Sequence, residues 1–196
     1  LFTAANTVQV VAQGGLMGAM FLVPLLLQAE MGMGPLESGL ATFPQALGVV
    51  SMMQFAGRAY HRIGPRRLMI VGMIGTTLTT LAFLLVGLEP SAWWIRLIMF
   101  LRGWGFALML VSLQTATFAT IDLRDMGRAS AVYNALRQVA ASFGVALLAT
   151  VLTNRLSAND AVLGNPLTRD GALTAFHEAF IVAAVLFWNA MSFVVA

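Results

Sequence analysis

The chain is 196 residues long, 59% of them hydrophobic and only 10% charged, with a formal net charge of +3. Soluble domains carry about a quarter charged residues, and a water-facing surface needs roughly 25–35%. The composition therefore excludes a soluble enzyme, a nucleic-acid-binding domain and a disordered tail. All eleven basic residues are arginine and there is no cysteine, so neither a disulfide nor a thiolate metal site can form.

Uncharged stretches cover 1–29, 38–57, 68–88, 103–121, 138–154 and 179–196, with the charges gathered between them. About 20 residues at 1.5 Å each cross a hydrocarbon core of about 30 Å. Six such stretches predict an all-α, polytopic membrane protein, because lipid leaves backbone amides no partner outside a helix. The expected helices lie near 3–27, 35–57, 67–87, 92–120, 129–153 and 175–196. Gly32, Gly34 and Pro35 break the first connection, Gly64 and Pro65 the second, Gly87 and Pro90 the third, and Gly127 the fourth. The fifth, 155–174, is the long one, and Pro24 and Pro44 are expected to kink the spans that contain them. No signal peptide is visible ahead of the first span, and the chain reads as a fragment that starts and ends inside spans.

Arginine placement sets the expected orientation. Arg58, Arg62, Arg66, Arg67, Arg124 and Arg128 lie in the second and fourth loops; the other loops hold only Arg155 and Arg169, beside Glu30, Glu37, Glu89, Asp160, Asp170 and Glu178. The even loops, and with six spans both termini, are then cytoplasmic. Trp93 and Trp94 fall at the outer start of the fourth span, where indoles favour the interface.

Polar groups inside a bilayer are expensive, so their positions carry information. Arg137 lies about 13 Å into the fifth helix by helical rise, with Asn134 and Gln138 beside it. Arg102 and Gln114 sit in the fourth helix, Asn6, Gln9 and Gln13 in the first, Gln45 and Gln54 in the second. Helices one, two, four and five thus carry the amides and guanidinium groups, while three and six look like lipid-facing supports. The cavity candidates are Gln9, Gln13, Arg102, Gln114, Asn134, Arg137 and Gln138. Interhelical amide bonding is the plainer use of any single Gln, and Arg102 could snorkel to the outer edge; a charge as deep as Arg137 favours a solvated cavity. Every acid is expected in a loop or at a helix mouth, so a proton-carrying carboxylate is missing from the spans. The pairs Gly14 with Gly18, Gly72 with Thr76, Gly103 with Ala107, and Ala140 with Gly144 are expected to be close-packing points, and the twelve methionines flexible core filler rather than a metal path.

The second connection runs Gly57-Arg-Ala-Tyr-His-Arg-Ile-Gly-Pro-Arg-Arg67. This spacing resembles the G-x-x-x-D-x-x-G-x-R-R signature of the major facilitator superfamily. Gly57, Gly64, Arg66 and Arg67 match it, and His61 stands where the family usually has Asp. The stretch Arg102-Gly-Trp-Gly-Phe-Ala107 and the run 127–146 resemble the carboxy-terminal half of fourteen-helix drug:proton antiporters of the EmrB/QacA type. The resemblance implies that residues 1–196 form one six-helix half of a major facilitator fold, with the amino-terminal half absent, and that Gly57, Arg58, His61, Arg62, Gly64, Arg66 and Arg67 make a cytoplasmic gate loop. It implies proton-coupled export of hydrophobic or cationic compounds from a bacterial inner membrane, coupled through residues of the other half. The implied partners are the lipid bilayer, the missing half, substrates and protons, with a periplasmic adaptor left open. No nucleic acid, metal or cofactor is implied. An uptake permease for a sugar or organic anion, and a transport-inactive scaffold, are the alternatives. No enzyme motif appears, since H-E-x-x-H, G-x-S-x-G and phosphate-binding loops are all missing.

Overall fold

A computed structural model describes residues 2–87, 92–118, 121–122 and 124–195, and the side chains of these except at 2–9, 61, 92 and 193–195. The described backbone is helical without strands. It comprises α1 (Phe2–Ala29), α2 (Pro35–Thr42), α3 (Pro44–Ile63), α4 (Pro65–Leu81), α5 (Ala92–Phe118), α6 (Met126–Ala158) and α7 (Arg169–Val195). Five segments are each long and apolar enough to cross a membrane: Val10–Ala29, Pro65–Leu85, Trp93–Phe118, Met126–Ala158 and Pro166–Ser192. Helices α2 and α3 together cover the stretch expected as the second span, 35–57. Pro44 has no N–H to donate and interrupts the helix at Phe43, which keeps helical dihedrals. Pro24, by contrast, is absorbed within α1.

Two connections are tighter than the sequence suggests. The second is essentially one residue, Gly64, at φ 87°, a backbone region closed to most side chains. Pro65 then opens α4 at a position where no N–H is needed. Arg58 and Arg62 therefore ride on the last turns of α3, and Arg66 and Arg67 on the first turn of α4, rather than on a free loop. The fifth connection is shortened because α6 runs on to Ala158 and α7 starts at Arg169. Asp170 stands in the first turn of α7, at the helix mouth, whereas Glu178 lies inside α7 and pairs with Arg155 of α6 at 3.4 Å. The expected Glu89 and Pro90 turn lies outside the described residues.

The helices pack as two three-helix units with matching contacts. Helix α1 lies against α6 and α7, as α5 lies against α3 and α4, and α4 packs on α7 behind them. Lipid offers no hydrophobic force between helices, so close backbone approach must hold them. Gly14 and Gly144 form one such approach between α1 and α6, and Gly48 and Gly103 its counterpart between α3 and α5. Gly72 and Thr76 meet Gly105 across α4 and α5. Elsewhere the core is plain side-chain packing: Phe83 stacks on Phe180 at 5.0 Å, beside Leu22, Leu26, Ile95 and Leu152. In α4, Thr76, Thr77, Thr79 and Thr80 each return the hydroxyl to a carbonyl four residues back at 2.8 Å. At the end opposite the arginine cluster, Trp93 is exposed with the Arg96 guanidinium 5.2 Å from its ring.

The fifth connection is tied down by Glu30. This side chain is fully buried; its Oε1 accepts from the Gly164 amide at 3.1 Å, while Arg169 donates to the Glu30 carbonyl. Glu30→Ala removes the acceptor of the Gly164 amide, a net loss of about 1 kcal/mol because the freed amide can turn to solvent. Limited proteolysis should then cut within 159–168 at least several-fold faster than in the parent, with the helical core unchanged.

Candidate functional site

A concave pocket of about 520 Å³ opens among α1, α2, α3, α5 and α6. Its wall is mostly apolar, with Met17, Met20, Phe43, Val50 and Phe106, and its polar groups include Arg137, Gln45 and Thr42. Helix α6 delivers Arg137 because its buried stripe is Tyr133, Ala140, Gly144, Leu148, Leu152 and Leu156, fixed by the Gly14–Gly144 approach. Arg137 lies beside that stripe and stays half-buried at the pocket edge. Tyr133, one turn earlier, is buried against Phe118 at 5.3 Å. Its hydroxyl lies within electrostatic reach of Arg137 and beside Gln114, without a well-formed hydrogen bond to either.

The seven cavity candidates do not converge. Arg137 lines the pocket, whereas Asn134 and Gln138 are exposed along the open face of α6 and outside its wall. Asn134 is also tied to its own helix, its Nδ2 donating to the Ser130 carbonyl at 2.9 Å. Gln114 is half-buried beside Tyr133. Gln13 is 2% exposed and its Oε1 has no partner among the described residues. Arg102 is fully buried and neither snorkels nor lines the pocket; none of its three guanidinium nitrogens has a hydrogen-bond partner among the described residues. At 100° per residue Arg102 lies only about 40° from Phe106 around α5, yet Arg102 is enclosed by the bundle while Phe106, one turn on, lines the pocket. The side chain of Gln9 lies outside the described residues. Depth in a span is readable from sequence, but the direction a side chain takes around its helix depends on which neighbours cover it.

The pocket residues missed by sequence reasoning are Met17, Met20, Phe43 and Phe106. Apolar side chains give no contrast in a membrane-spanning sequence. Tyr133 left a usable signal, since it shares a helical face with Arg137 at four-residue spacing.

In the gate segment, Arg58 and Arg62 are exposed on α3, and Arg66 and Arg67 sit at the N-terminus of α4, against its macrodipole. The His61 side chain lies outside the described residues. Two crossings, α4 and α5, carry the chain from this segment back to the same end at Arg124 and Arg128.

Comparison with known proteins agrees with this architecture. Residues 5–145 match the family model described as Major Facilitator Superfamily. The chain is 31% identical over 171 residues to "Uncharacterized MFS-type transporter YcnB" of Bacillus subtilis, covering 87% of this chain and 35% of that protein. It is 30% identical over 155 residues to "Uncharacterized MFS-type transporter YhcA" of the same organism, covering 79% and 29% respectively. It is 29% identical over 163 residues to "Multidrug resistance protein B homolog" of Mycobacterium tuberculosis, covering 81% and 30%. The chain thus spans about a third of the length of these relatives. With five membrane-length apolar helices among the described residues and a family match over residues 5–145, this chain is a multi-pass membrane protein of the major facilitator superfamily.

Proposed function

We propose that residues 1–196 are the carboxy-terminal six-helix domain of a fourteen-helix drug:proton antiporter of the EmrB/QacA type. It exports hydrophobic or cationic compounds across a bacterial inner membrane, with both domain ends cytoplasmic. The observation that carries this reading is the chemistry of the concave wall. Two methionines and two phenylalanines offer deformable, polarizable surface to solutes of varied shape, and the few polar groups leave little for the many hydrogen bonds of a sugar. The name printed for the mycobacterial relative points the same way.

In this reading an amino-terminal domain closes the other side of the pocket, and alternating access arises from rocking of the two domains. The open faces of α3 and α6 support it: Val50, Met53, Val139 and Phe143 are all about half exposed or more. The coupling carboxylate belongs to that other domain, because the one described span carboxylate, Glu178, is engaged by Arg155. The arginines around Gly64 form the cytoplasmic gate, where domains close against each other, and a periplasmic adaptor would meet the opposite end. An organic-anion permease is the second reading, favoured by Arg137 as the charged group of the pocket wall, since a guanidinium binds carboxylates bidentately.

Cells expressing the intact parent protein and preloaded with a lipophilic cationic dye test both readings. Export is expected to stop when a protonophore collapses the proton gradient. Arg137→Ala should lower the export rate about tenfold, through loss of the charged donor that orders the pocket wall and not of any attraction for the cationic dye, with unchanged membrane insertion. Export that survives the protonophore, or normal kinetics in Arg137→Ala, overturns the efflux reading. Gradient-driven uptake of a labelled organic anion in place of dye export selects the permease.

A further inference from the structure

A groove of about 800 Å³ lies apart from the pocket and shares Arg58 and Arg62 with the gate segment. It runs along α3, lined by Met52, Phe55, Ile63 and Trp104, with Arg58 and Arg62 at one end. We propose that it holds one anionic phospholipid of the leaflet that meets the arginine-rich end. The acyl chain lies along Phe55 and Trp104, and the phosphate between Arg58 and Arg62.

The groove faces lipid rather than the transport pocket. Trp104 shares an exposed stripe of α5 with Leu97 and Leu101, at helical spacing. Phe106, which lines the pocket, lies two residues on and so roughly 200° around the helix. The indole is held in place, its Nε1 donating to Ser51 Oγ of α3 at 3.0 Å.

Charge complementarity then selects the headgroup. Arg58 and Arg62 are one helical turn apart, exposed, and make no ion pair among the described residues. Helix α3 carries no Asp or Glu that could neutralise them. From Ser51 to Arg58 and Arg62 is about 10–17 Å along the helix. One end of the groove is thus apolar at acyl depth and the other cationic at headgroup depth. Two guanidinium groups in fixed register bind a phosphodiester with charge-assisted hydrogen bonds, whereas a zwitterionic headgroup brings its own cation into the same space. The inference stands on membrane embedding alone and is independent of what is transported.

Native mass spectrometry of the intact protein, with phosphatidylglycerol and phosphatidylcholine of identical chains, tests it. Binding should favour phosphatidylglycerol about tenfold, following the attraction of two juxtamembrane arginines. The double variant R58Q/R62Q should lose that preference, while R124Q/R128Q, at the same end but off the groove, should keep it. Trp104→Ala should weaken both lipids and leave their ratio unchanged. The proposal is overturned if R58Q/R62Q retains the preference, if R124Q/R128Q abolishes it equally, or if millimolar glycerol 3-phosphate displaces the bound lipid.

Discussion

Gly144→Ala is expected to destabilise the purified protein in detergent far more than Gly14→Ala, although the two glycines face each other. A Cβ at Gly144 would land on the Cα, carbonyl carbon and oxygen of Gly14, all backbone atoms that cannot swing away. A Cβ at Gly14 would instead meet the Ala140 carbonyl oxygen at 3.2 Å and the Gly144 Cα at 3.5 Å, contacts that a shift of a few tenths of an ångström accommodates. Overpacking of the first kind costs about 1–3 kcal/mol or more and separates α1 from α6. A domain of about this size loses roughly 2–4 °C of melting temperature per kcal/mol. Gly144→Ala should therefore fall by at least about 5 °C and Gly14→Ala by less than about 2 °C. Across the related α3–α5 contact the asymmetry should vanish, because a Cβ at Gly48 meets the Phe100 carbonyl and one at Gly103 the Gln45 carbonyl. Equal, small losses at positions 14 and 144 would mean that α1 and α6 are not in backbone contact. Transport should follow stability here, since the same contact sets the angle at which α6 presents Arg137 to the pocket.

That glycine pair shows where sequence reading reached and where it stopped. The all-helical class and the small residues at packing spacing follow from local chemistry, because a bilayer forces helices and close packing needs small side chains. The sequence names Gly14 and Gly144 as contact points but not as contacts with each other; partner choice is a tertiary fact. Element ends differ for local reasons: Gly64 turns the chain in one residue where the expected spans leave about ten for a loop, and α7 begins early enough to draw Glu178 into the span. The cavity was missed in a different way. Arg137 and Arg102 have similar sequence signals, a guanidinium well inside an apolar helix, yet one lines the pocket and the other is enclosed by the bundle. Which neighbours cover each side chain, a tertiary fact, separates the two outcomes.

Arg102→Met is expected to make the protein more stable and less active. The guanidinium is fully buried, and none of its nitrogens meets an acceptor among the described residues. Desolvating a charge without a partner is among the most unfavourable arrangements in an apolar interior. Replacing buried charge by a well-fitting apolar side chain of similar length stabilises by about 1–4 kcal/mol where it has been measured. Methionine keeps the unbranched stem and its packing while removing the charge. The melting temperature of the purified protein should rise by about 4–8 °C. Arg102→Lys keeps the charge and should show no such rise, which separates charge removal from any change in packing. A group retained at that energetic disadvantage must act in another conformational state, so dye export should fall at least about tenfold in Arg102→Met despite the stable fold. A lower melting temperature would place an acceptor beside the guanidinium in the intact protein. A stabilised variant with undiminished export would instead leave Arg102 without a functional role.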